Sequence, residues 1–110
     1  MIRPVLMKKK GRIIGLYNCH DDDSMGSGLV MLYNVCIAAK ERGRGYGKKL
    51  IQHAISHCQK KERTLALTVY KDNQLAKKLY SESGFVLEEI PEAKQTGFST
   101  FNKALMLYRP

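Results

Sequence analysis

Residues 42–47 read Arg-Gly-Arg-Gly-Tyr-Gly and stand between a β-type apolar run (29–38, LVMLYNVCIA) and an amphipathic helical pattern. Three glycines in six residues let a backbone turn tightly and bring its N–H groups close to a ligand. The helix that follows aims the positive end of its dipole at the same place. Arg42, Arg44 and the pair Lys48–Lys49 add cationic charge. The junction reads as a cradle for a polyphosphate. It also restricts topology, because a strand, a helix and a further strand in succession call for a right-handed crossover and parallel pairing.

The helix is predicted over residues 46–60, where Tyr46, Leu50, Ile51, Ala54, Ile55 and Cys58 form one apolar stripe. The basic cluster Lys60–Arg63 ends it, as the C-terminal dipole favours. Residues 64–70 (TLALTVY) alternate as a central strand. Asp72-Asn73 supplies capping chemistry for a second helix bearing Leu75, Ala76, Leu79 and Tyr80, and Ser83-Gly84 stops it. Upstream, residues 3–9 and 12–19 read as two strands joined near Lys10-Gly11, and 20–28 (HDDDSMGSG) as a loop. The run 29–38 is expected to be a strand buried on both faces. Residues 85–90 and 101–109 read as closing strands, and the connection 91–100, with Pro91 and Gly97, is expected to be mobile. The order β-β-β-α-β-α-β-β gives an α/β (α+β) fold. Its sheet is mixed and mostly antiparallel around a central parallel β-α-β crossover, within a single domain over 1–110.

The formal net charge is +9, clustered at Lys8–Arg12, Arg42–Lys49, Lys60–Arg63 and Lys77–Lys78. Charge alone leaves two partners open, an anionic small ligand or nucleic acid. Aromatic residues do not interleave with the basic runs as a base-stacking platform requires. Cys19, Cys36 and Cys58 are odd in number and without a CxxC pair, so they read as reduced intracellular thiols. His53 and His57 lie at i, i+4 without the glutamate of a zinc helix and read as a helix face, so no metal is expected. There is no apolar run of membrane-spanning length and no secretory apolar region after Met1. A cytoplasmic location is expected.

Three phosphate-binding loops can be compared with residues 42–49. A Walker loop needs GxxxxGK[ST], whereas Gly43 and Gly47-Lys48 are wrongly spaced and Lys49 replaces the hydroxyl residue. A dinucleotide fingerprint needs GxGxxG, whereas the pattern here is GxGxG. The third, RxxGxG, resembles the pyrophosphate loop of the GNAT superfamily of N-acetyltransferases. The segment Val69-x3-Asn73-x2-Ala76-x2-Leu79-Tyr80-x3-Gly84-Phe85 is similar to that family's second cofactor segment, and Asn34-Val35-Cys36-Ile37 to the end of its fourth strand. The resemblance covers roughly residues 5–108.

The resemblance implies acetyl-CoA as co-substrate and a V-shaped cleft between the two central strands. Backbone groups of Val35, Cys36 and Ile37 would hold the pantetheine arm, and an N–H near Val35 would polarise the thioester carbonyl. The loop Arg42, Gly43, Arg44, Gly45, Tyr46, Gly47 and Lys48 would grip the pyrophosphate. Asn73 and Ala76 would position the cofactor, and Tyr80 would serve as general acid toward the departing sulfur. The usual strand and two helices before the hairpin find no room here, so the expectation is a short member of the family, one whose partner supplies that wall of the acceptor site, or a truncated chain. No carboxylate occurs between Asp23 and Glu41 to act as base, and Tyr33 or a water chain is left as relay. Neutralising a lysine amine at pH 7 costs roughly 4–5 kcal/mol and an α-amine only about 1, so a site without a strong base leans toward an α-amine, another low-pKa amine, or deprotonation by remote relays. The resulting expectation is an N-acetyltransferase acting on a primary amine of a protein, peptide or small molecule. The alternative is an acetyl-CoA-binding module with little or no turnover. A homodimer is an open expectation; nucleic acid and membrane are not expected partners.

Overall fold

The computed structural model describes residues 4–22, 29–88 and 102–110. Strands β1 (Val5–Lys9) and β2 (Arg12–Asp22) form an antiparallel hairpin about Lys10 and Gly11, both at positive φ. After β3 (Leu29–Ile37) comes a short 3-10 turn, Ala39–Glu41, and then the glycine loop. Helix α1 (Tyr46–Lys60), strand β4 (Thr64–Tyr70) and helix α2 (Gln74–Glu82) follow. Strands β5 (Val86–Glu88) and β6 (Lys103–Tyr108) complete a sheet ordered β1-β2-β3-β4-β6-β5. Only β3 and β4 pair in parallel; the other ladders are antiparallel. The expected mixed sheet with its central crossover is the observed one.

Helix α1 lies across β2, β3 and β4. Its stripe of Leu50, Ile51, Ala54, Ile55 and Cys58 packs on Tyr17, Val30, Leu32, Leu65, Leu67 and Met106. Complete burial of Ile51 contributes on the order of 1.5–3 kcal/mol. Ala76 and Tyr80 of α2 close on the same cluster. On the opposite face, the described cluster of Ala66, Leu105 and Leu107 with Leu29 and Met31 comes entirely from strands.

Two readings of the sequence need correction. The strand expected to end at residue 19 continues to Asp22, and His20, Asp21 and Asp22 pair with Met31, Val30 and Leu29. Polar residues carry this stretch because the apolar partner strand supplies the ladder, and Asp21 is held by Arg63 at 3.2 Å. Strand β3 is not buried along its whole length: Val30 and Leu32 are buried, whereas Asn34 and Cys36 are exposed. Its second half has left the neighbouring strand. The 91–100 connection, residues 23–28 of the expected loop and the outer residues of the closing strands lie outside the described residues.

Candidate functional site

Parallel pairing between β3 and β4 is confined to Leu29–Thr64, Val30–Leu65 and Met31–Ala66. Beyond Met31 the strands part. Between the pairs Asn18–Tyr33 and Leu16–Cys36, β2 carries one residue and β3 carries two, Asn34 and Val35. Asn34 stands at φ 57°, a conformation asparagine tolerates better than most residues. The bulge bends β3 away from β4 and takes backbone groups out of the ladder with β2. It also reverses which residues face the core: Val30 and Leu32 before it, Val35 and Ile37 after it. The result is a cavity of about 230 Å³ lined by Leu32, Tyr33, Asn34, Val35, Leu67, Thr68 and Tyr80.

At the end of β3 the chain enters the loop. Arg42 Nε donates to the Ile37 carbonyl at 3.1 Å, which fixes the loop to the strand end. Gly45 caps α1 at φ 81°, with no side-chain capping bond and no acidic residue in the first helical turn. The first-turn N–H groups are therefore not taken by a cap, and an anion is the favoured partner there. Gly43 and Gly45 stand at φ 79° and 81°, where the backbone itself favours glycine, whereas Gly47 is helical and a Cβ added to it would meet no atom within 4 Å, so neither packing nor backbone demands glycine at 47. Close approach of something to the backbone at Gly47 would. Arg42, Arg44 and Lys48 are exposed around the loop, and the Tyr46 ring lies under Lys9 and Lys49 at 5.7 and 5.6 Å.

Tyr80 forms the far wall of the cavity. Its ring packs edge-on to Phe85, with centroids 5.8 Å apart, and Phe85 in turn packs on Tyr108. Burial raises the Tyr80 phenol above its ordinary value, so it stays protonated at working pH. Asn73 caps α2, its Oδ1 accepting from the Ala76 N–H at 3.1 Å. Val35 and Tyr80 thus share the cavity, while Cys36 and Ile37 run from it to the loop. Asn73 and Ala76 stand at the start of α2, outside the cavity lining.

The sequence matches the family model "Acetyltransferase (GNAT) family" over residues 2–85. The chain belongs to the GNAT family. It is 34% identical over 65 residues to N-alpha-acetyltransferase 40 of Saccharomyces cerevisiae, covering 52% of this chain and 23% of the yeast protein. It is 32% identical over 78 residues to the 5-NmdU N-acetyltransferase of Pseudomonas phage PaMx11, covering 71% of this chain and 53% of the phage protein. The chain thus spans about a quarter and about half of the lengths of these two relatives. The fold superposes on a GNAT acetyltransferase of Elizabethkingia anophelis with acetyl-CoA bound, at a TM-score of 0.76 and 18% identity, covering 96% of this chain and 74% of that one.

Several residues of this candidate site were not assigned a role from sequence. Asn34, read from sequence only as part of a strand-end segment, is the bulge residue; an asparagine inside an apolar run was its signal. Thr68 faces the cavity opposite Tyr33 and Asn34. Glu41, the lone acid within the basic stretch 40–49, is 7% exposed and lies 3.7–3.9 Å from Arg44, Lys9 and Arg12. It ties the β1–β2 hairpin to the loop. Among the described residues no group of His, Cys, Asp and Glu is placed to hold a metal ion, and no helix is long and apolar enough to cross a membrane.

Proposed function

We propose that the chain is an N-acetyltransferase that moves the acetyl group of acetyl-CoA to a primary amine of a protein, peptide or small molecule, by direct attack in a ternary complex. One observation carries this reading: β3 and β4 separate after three residue pairs and open a cavity walled by Tyr80, from which β3 continues through Cys36 and Ile37 toward the loop and the uncapped start of α1. The loop amides past Arg42, with Arg42, Arg44 and Lys48, hold the diphosphate. Backbone groups of Val35, Cys36 and Ile37 receive the pantetheine arm as a strand-like partner, and an N–H near Val35 stabilises the developing oxyanion. The neutral amine nitrogen bonds to the carbonyl carbon and releases one proton to solvent, the C–S bond breaks, and the sulfur takes the Tyr80 proton, which solvent restores.

An α-amine is the favoured acceptor class, because no described carboxylate lines the cavity to deprotonate a lysine. The same observation favours the second reading, a module that binds acetyl-CoA without turnover. A screen of N-terminal peptides, lysine peptides and small amines with mass readout, beside calorimetry with CoA, separates the two. Heat without acetylated product supports the module, and absence of heat overturns both. The three free cysteines support a reducing, cytoplasmic setting. Exposed Val86 and Leu87 on edge strand β5 support self-association along that edge.

A further inference from the structure

The cleft between β3 and β4 is closed at one end, where Met31 and Ala66 make the last parallel pair, and open at the other, where β3 leads through Ile37 to the loop. The pair that would come next, Leu32 with Leu67, is not formed, and both residues line the cavity instead. Each is 3% exposed and belongs to the core cluster beneath α1. Tyr33 and Thr68, the next residue on each strand, follow Met31 and Ala66 onto the opposite face of the sheet. The closed end is therefore apolar on the α1 side and carries hydroxyls on the other.

We infer that Leu32 and Leu67 form the wall on which the acyl group ends, and so set the length of acyl chain the site accepts; this rests on the acetyltransferase reading. A cofactor held by its diphosphate at the loop enters the cleft from the open end, and its acyl group leads. The pantetheine arm passes Ile37 and Cys36, and the thioester stands at Val35 and Tyr80. What lies beyond the carbonyl carbon then points to the closed end. The wall there has little room to yield, because Leu32 and Leu67 pack with Ile51, Ala54 and Ile55 of α1 and with Met106 of β6 in one buried cluster. A core of this kind is close-packed, so a longer chain must displace side chains rather than fill a void. An apolar pocket discriminates by about 10-fold or more for each methylene it lacks space for.

The test measures kcat/KM with an N-terminal peptide, and affinity by titration calorimetry, for acetyl-, propionyl- and butyryl-CoA. It compares Leu67→Val and Leu67→Ala with the unmodified chain. Leu65→Val is the control, because Leu65 is fully buried on the same strand and does not line the cavity. The unmodified chain is expected to favour acetyl-CoA over butyryl-CoA by about 10²-fold in kcat/KM. Leu67→Val should raise the propionyl-to-acetyl ratio about 10-fold and Leu67→Ala the butyryl-to-acetyl ratio about 10²-fold, while affinity for CoA without an acyl group stays within about twofold. Leu65→Val should leave both ratios in place. Equal use of acetyl- and butyryl-CoA by the unmodified chain, ratios unmoved in Leu67→Val, or the same shift in Leu65→Val would overturn the assignment; Leu67→Val decides it even where Leu67→Ala fails to fold. The affinity series does not depend on turnover. An order of acetyl, propionyl, butyryl that relaxes in Leu67→Val without any acylated product removes the acetyltransferase reading and keeps the wall, whereas product formed with unmoved ratios removes the wall alone. Absence of heat with every form of CoA removes both.

Discussion

Replacing Gly47 with alanine should push stability and cofactor affinity in opposite directions. Gly47 sits in the first turn of α1, and its added Cβ would touch nothing within 4 Å. Alanine exceeds glycine in helix propensity by up to about 1 kcal/mol, and the first turn realises about half of that. For a domain of this size such a gain raises Tm by roughly 2–5 °C. The same methyl group would stand where a diphosphate meets the helix N-terminus. Displacing one charge-assisted hydrogen bond costs about 1.5–3 kcal/mol, or roughly 10–100-fold in Kd for CoA. Scanning calorimetry reads the first quantity and titration calorimetry the second. A destabilised variant loses both together, so a higher Tm with weaker binding cannot come from misfolding. A higher Tm with unchanged CoA affinity would refute the cradle at the start of α1.

Tyr80→Phe should lower kcat at saturating acetyl-CoA by 10-fold or more, the lower end or below of general-acid effects, while CoA affinity moves less than threefold; unchanged turnover in steady-state assays removes Tyr80 from the chemistry. Burial raises the Tyr17 phenol to about 12 and the Cys19 thiol to about 12 as well. Both groups keep their protons longer in the folded chain, so their contribution is whole below pH 9 and falls away from there to about 12. Denaturant titrations across that range should show the decline, and Tyr17→Phe should shrink it above pH 10. Glu41→Gln leaves Lys9, Arg12 and Arg44 facing one another and should destabilise by about 1–2 kcal/mol, less than a fully buried pair because the cations are partly exposed. The loss should shrink as salt rises in thermal melts; a salt-independent loss argues for packing instead.

The local chemistry of the chain made the central crossover legible. The α1 stripe, the Asn73 cap and the Ser83-Gly84 stop each have a mechanism within a few residues, and each stands where the sequence put it. The glycine loop was legible for the same reason, since positive φ and the helix start are local properties. What escaped depends on partners distant in sequence. The polar residues His20–Asp22 looked like loop because nothing nearby told of the apolar strand that would pair with them. The role of Glu41 required Lys9 and Arg12 to fold back some thirty residues. Asn34 broke an apolar run, but only the register between β2 and β3 makes that break a bulge.

Just three rungs of parallel ladder join the β1-β2-β3 half of the sheet to the β4-β6-β5 half. The sheet therefore behaves as two stiff leaves on a short spine, with α1 laid over the joint. Peptide groups facing the gap have no inter-strand partner, and an occupant offering amides of its own would stitch the leaves together. Deuterium uptake at Val35 and Thr68 would then slow sharply when the cleft is filled, while amides near Met31 and Ala66 hardly change.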